Sequence, residues 1–196
     1  MPSTLTATEI ANLALSKLGP GGGYLTDLET DDSEAAEALR RVYVGIRDEV
    51  LEAHGWGFAT KRAALAADVA VPDWGYDLQY TLPADCLKVL AVKNASVMDY
   101  QAYAEESGKL LTDLTAPLYI RYLARVTDTS KFSATFISAL AARLADEVCE
   151  TITKSTAKRE KLQLEYRVKV MAARKLDNLG KASQPPPDGS WNDARL

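Results

Sequence analysis

The chain offers few groups that could do chemistry, and their spacing decides what each could do. His54 is the only histidine, so a Ser-His-Asp or Cys-His relay would have to run through it. It stands at the end of an amphipathic run, where an imidazolium suits the negative end of a helix dipole, and a structural or surface role is expected. The acids Asp27, Glu29, Asp31, Asp32 and Glu34 crowd one segment. Such a group could supply the carboxylate pair of a glycoside hydrolase or oxygen ligands for a divalent cation. Asp31 with Glu34 also has the spacing of a helix-start signature, and acids are favoured there by the dipole; that is the expected role. Gly19-Pro20-Gly21-Gly22-Gly23 is glycine-rich like a phosphate loop. No Lys-Ser/Thr follows it, and it succeeds a helical pattern where a phosphate loop succeeds a strand, so an interhelical loop is expected. Cys86 and Cys149 lie in apolar surroundings without metal-ligand spacing and are expected to be reduced core residues. No catalytic group, cofactor or metal is expected.

Basic residues gather late. Lys154, Lys158, Arg159, Lys161, Arg167, Lys169, Arg174 and Lys175 could track phosphates. Interleaved Glu160 and Glu165, with an isoelectric point near 5.1, argue against tight sequence reading. Residues 1–60 hold four Lys/Arg against ten acids, and residues 143–196 hold eleven against eight. Opposite signs at the two ends could attract within one molecule or between neighbours; solvated helix faces would also account for them.

The elements that must position these groups change period along the chain. Helix 1 is expected over about 7–18, with Thr6 and Glu9 as a capping box and Gly19-Pro20 as its stop. Helix 2 is expected over about 32–54, its core stripe Ala35, Leu39, Val42, Ile46 and Val50, with Gly55 just beyond its end. Strand-like runs cover about 61–71, 78–82, 87–93, 109–112 and 118–126, with turns at Pro72-Asp73 and Gly108. In the last run, alternation places Tyr119, Arg121 and Leu123 on one side. Ser133 is the expected N-cap for helix 3, whose stripe is Phe136, Leu140, Leu144, Val148 and Ile152. Helix 4 is expected over about 157–179, with Leu162, Tyr166, Val170 and Met171 apolar. Three prolines then exclude further helix, leaving a tail.

This is a mainly α chain with inserted β (α+β): an antiparallel bundle of about four helices with a small antiparallel β-sheet inserted between helix 2 and helix 3. Its 196 residues suit a single domain over 1–180, with bundle segments 7–55 and 133–180, a sheet region 57–126 and a Pro-rich tail 181–196. That length can bury roughly 70% of the unfolded surface without a staple. No run of 18 apolar residues appears, so no membrane span is expected, and the N-terminus lacks a signal-peptide pattern. Between Arg47 and Val92 the chain passes from helix to sheet through aromatics, glycine and proline. Trp56, Phe58, Trp74, Tyr80 and Pro83 are the structural residues singled out there, with Trp56 and Phe58 expected to wedge the sheet against the bundle.

The order of these patches resembles the head-to-tail adaptors of tailed bacteriophages, the tail tubular protein A or packaged-DNA-stabilisation type. The matching features run from Ile10-Ala11-Asn12-Leu13-Ala14 through Arg41-Val42-Tyr43 and Arg47-Asp48-Glu49-Val50-Leu51 to Gly55-Trp56-Gly57-Phe58-Ala59. They continue through Lys61-Arg62-Ala63-Ala64-Leu65 and Trp74-Gly75-Tyr76 to Tyr80-Thr81-Leu82-Pro83-Ala84-Asp85. The last are Leu118-Tyr119-Ile120-Arg121-Tyr122 and Phe136-Ile137-Ser138-Ala139-Leu140. The resemblance covers about residues 8–180; loop 19–23 and the tail fall outside its pattern. It implies a structural, non-enzymatic virion protein at the head–tail junction, synthesised in the host cytoplasm. It implies a ring, typically of twelve copies, between the portal protein and a tail or nozzle protein, with non-specific contact to channel DNA and no membrane partner. Within that picture the tail, through Pro185, Pro186, Pro187, Trp191 and Arg195, is expected to order on the portal. A DNA-binding module and a carboxylate-dependent cell-wall hydrolase are the alternatives.

Overall fold

In the computed structural model, residues 5–93 and 103–180 are described. Helix α1 (Ala7–Lys17) begins with the expected capping box: Thr6 and Glu9 satisfy each other's backbone N–H. Its end is set by Gly22. A Cβ there would lie 2.2 Å from the Leu15 carbonyl oxygen, so only glycine lets the loop fold back on the helix.

Helix α2 (Glu34–Glu52) starts two residues later than expected. Its cap is Ser33, whose hydroxyl accepts the Ala36 N–H, while Asp31 instead accepts the Ser33 N–H and orders the approach. The buried positions are Ala36, Leu39, Tyr43, Ile46, Arg47, Val50 and Leu51. The helix stops at Ala53 with ordinary right-handed geometry, not with a left-handed Gly55.

Among the described residues six strands follow: β1 (Thr60–Leu65), β2 (Leu78–Thr81), β3 (Cys86–Lys93), β4 (Ala104–Glu106), β5 (Lys109–Thr112) and β6 (Leu118–Ala124). They form two antiparallel three-stranded sheets, β1-β6-β3 and β2-β5-β4, where a single sheet was expected. Ser107 and Gly108 both take positive φ, making the two-residue β4–β5 turn. The reason for two sheets is a second core. Tyr80 and Leu110 from one sheet and Val89, Leu118, Ile120, Tyr122 and Ala124 from the other share one apolar cluster. Leu123, on the opposite side of β6, belongs to the helical core instead.

Helix α3 (Ala134–Thr153), capped by Ser133, is the hub on which α1, α2 and α4 pack. Lys154 in a left-handed conformation ends it, and Ser155 caps α4 (Thr156–Leu179). Helix α4 buries Leu162, Val170 and Ala173 with Tyr166 packed alongside; Met171, expected on this face, points outward.

Candidate functional site

The strand-to-bundle junction begins at β3, whose side chains reach the helical core. Strand β3 pairs with β6 through two register shifts, which leave Leu87 and Leu90 without partners in the ladder. A bulge re-aims side chains, and both of these leucines pack on the helical core. Four aromatic rings complete the joint. Trp56 is fully buried, and its indole N–H donates to the Val50 carbonyl at 2.9 Å. Its ring meets Phe136 edge-on at 5.2 Å and Phe58 at 6.1 Å, while Phe58 lies 5.1 Å from Phe136 and 5.8 Å from Phe132. Trp56 and Phe58 thus tie the α2–β1 connection to the start of α3.

Tyr80 is also fully buried, donating its hydroxyl to the Leu114 carbonyl at 2.6 Å. Pro83 opens the turn into β3, its carbonyl accepting the Cys86 N–H at 2.8 Å. Trp74 departs from the structural expectation. It stands 87% exposed on the β1–β2 loop beside exposed Val69 and Val71.

The groups that could do chemistry are dispersed. His54 Nε2 lies 3.0 Å from Asp177 Oδ2, and its ring edges Trp56 at 4.9 Å. Asp27 accepts the N–H groups of Glu29 and Thr30. The backbone N–H of Thr30 holds its carboxyl below the usual range; for Asp31, the Ser33 side chain does the same. A general acid needs the opposite shift. Among the described residues, no group of three or more His, Cys, Asp or Glu is placed to hold a metal ion. Burial pushes the Cys86 thiol up, away from reactivity, and Cys149 is fully buried. The loop at Gly21–Gly23 lines a shallow groove of about 270 Å³ with Tyr24, Ser33, Glu34 and Ile152.

No family model matches this chain, and neither does any curated protein.

The charge asymmetry is partly consumed inside the molecule. Arg143 of α3 donates to Glu49 of α2 and to Asp146 and Glu147 of its own helix. Lys17 pairs with Glu165, and Lys158 donates to the Leu18 carbonyl. Arg159 bonds Asp146 and Glu150. Two of the bases that could track phosphates, Lys158 and Arg159, are thus engaged in tying α4 to α1 and α3. The tail with Pro185, Pro186, Pro187, Trp191 and Arg195 lies outside the described residues. Sequence periodicity missed the outward apolar row on α4, where Leu164, Val168, Met171 and Leu179 are 58–73% exposed. Their 4-3-8 spacing was the available signal.

Proposed function

We propose that this chain is a structural head-to-tail connector of a tailed phage. Copies form a ring, of twelve by the resemblance, that docks on the portal, links it to the tail or nozzle, and extends and seals the DNA channel. One observation carries the reading. The motif residues that carry the resemblance, Trp56 and Phe58 on the α2–β1 connection and Phe136 on α3, pack ring against ring. A rigid joint suits a part that bears load, and outside it Trp74, Leu164, Val168 and Met171 stand exposed, as groups that meet a partner do.

In this reading the chain carries no catalytic group. Its net charge of −4 disfavours tight phosphate binding, which suits DNA sliding past. The tail residues Pro185, Pro186, Pro187, Trp191 and Arg195 order on the portal.

Electron micrographs of the full chain, alone and mixed with its cognate portal, test the proposal. Rings stacked on the portal are the expected result, and absence of any complex sinks it. Deleting residues 184–196 is expected to weaken portal binding. Steeply salt-dependent duplex binding by the monomer would favour the DNA-binding alternative. Peptidoglycan turnover lost in Asp31→Asn or Glu34→Gln would favour the hydrolase.

A further inference from the structure

Helix α4 has two apolar faces. Leu162, Tyr166, Val170 and Ala173 pack inward. On the opposite side, Leu164, Val168, Met171 and Leu179 form a row at heptad-like spacing with Lys175 among them. A helix with solvent on one side ordinarily shows one apolar stripe, so the second calls for a partner. Around this row stand exposed Lys161, Arg167 and Lys175 against exposed Glu160. These three bases pair with no acid among the described residues.

Helix α2 presents the complementary face. Its outward side carries exposed Glu34, Glu37 and Glu52 against Arg41, which pairs with Glu37, while Glu34 lies 3.9 Å from Lys154; Val44 and Gly45 are exposed at its centre. Glycine in a helix interior is destabilising by about 0.5–1 kcal/mol relative to alanine. At Gly45 no neighbour within the molecule requires it, since a Cβ there would meet nothing within 4 Å. A flat spot beside Val44 lets a second backbone approach closely.

We propose that the outward face of α4 docks on the outward face of α2 of a second copy of this chain. The contact joins an apolar, basic face to an acidic face with a small-residue centre. Charge selects this pairing over α4 against α4, which would set basic rows opposite each other. Because the two faces differ, the contact is heterologous: each copy keeps one face free for the next, and successive copies close into a ring or extend as a filament. The proposal rests on the ring reading above and assigns its subunit contact.

Two variants of the full chain test it, each altered only at exposed positions. One carries Val168→Glu and Met171→Glu on α4; the other carries Val44→Lys and Glu52→Lys on α2. Unchanged thermal melts establish that both fold. In sedimentation velocity the unaltered chain is expected to associate as concentration rises, and each variant alone to lose association. Mixed in equal amounts, the variants are expected to form one-to-one heterodimers and nothing longer, because each retains one working face. Dimers formed by the α2 variant alone would mean that α4 pairs with α4, and would overturn the proposal. Variants that assemble like the unaltered chain would overturn this contact while leaving the ring standing. An unaltered chain that stays monomeric at every concentration, yet forms rings on the portal, would also overturn it. Monomers under both conditions would remove the ring reading as well.

Discussion

Oδ2 of Asp177 lies 3.0 Å from Nε2 of His54, joining the last turn of α4 to the residues just after α2. An acid in a last turn opposes the helix dipole, so Asp177 is held there by what it bonds. Its other oxygen accepts the Gly57 N–H at 2.9 Å, and a Cβ on Gly57 would come within 3.3 Å of that oxygen. One carboxylate thus fixes α4 against the α2–β1 connection. Asp177→Ala is expected to cost about 2–4 kcal/mol: two lost hydrogen bonds to a charged group, roughly 1.5–3 each, partly offset by relief of the unfavourable dipole contact. Urea unfolding measures it, and an unchanged midpoint would show that the tether contributes nothing.

The joint itself should be far more sensitive. Trp56 touches His54, Phe58 and Phe136, and its N–H has a buried acceptor. Trp56→Ala is expected to cost about 3–5 kcal/mol, a cavity plus lost transfer energy. Trp56→Phe should cost less, because a ring still packs, although the Val50 carbonyl loses its donor. A thermal melt that barely moves for Trp56→Ala would place the energetic centre of the joint elsewhere, with Phe132 and Phe136 as the next candidates.

These two cases show what the sequence could carry. The capping box at Thr6 and Glu9 was legible because its partners are three residues apart. Asp31 and Glu34 had the same spacing, but Ser33 competed for the cap and won, leaving Asp31 to accept from Ser33. Such a contest between neighbouring oxygens turns on backbone angles that residue types do not specify. Leu87 and Leu90 looked like ordinary strand residues; their departure from the ladder depends on β6, which lies some thirty residues away. The division into two sheets was hidden for the same reason, since β2 pairs with β5 and not with its sequence neighbour β3. On α4, Met171 follows Val170 directly, and a residue type cannot say which of two adjacent apolar positions turns inward. At the candidate site, Trp56 and Phe58 were legible as neighbours in the chain, whereas the outward row on α4 emerged only once the inward face was known.

Two glycines make a paired test of backbone approach. Gly22→Ala would force a Cβ against the Leu15 carbonyl, and overpacking of that kind costs about 1–3 kcal/mol or more. Gly45→Ala meets nothing and should stabilise the isolated chain by about 0.5–1 kcal/mol. Opposite shifts in the urea midpoint are expected. A neutral Gly22→Ala would mean that the 19–23 loop moves off α1 freely.

Tyr43 gives a pH-dependent expectation. Its ring is buried on α2, with 7% exposure, and its hydroxyl has no hydrogen-bond partner among the described residues. A buried hydroxyl left unpaired costs about 1–3 kcal/mol, so Tyr43→Phe should raise stability at neutral pH by up to that amount. Burial pushes the phenol up to about 12, with Arg47 opposing. The folded value lies above the unfolded one of about 10. The contribution from the neutral phenol is therefore fully present below pH 10 and is lost as pH rises through about 12. Phenylalanine cannot ionise, so the advantage of Tyr43→Phe should widen over that interval. Tyr122, also raised to about 12 by burial and by its bond to Asp85, titrates in both proteins and cancels in the difference. Denaturation curves of the two proteins at neutral pH and across pH 10 to 12 decide the matter. Parallel losses would mean that the Tyr43 hydroxyl reaches water. A Tyr43→Phe protein less stable at neutral pH would mean that this hydroxyl makes a favourable bond in solution.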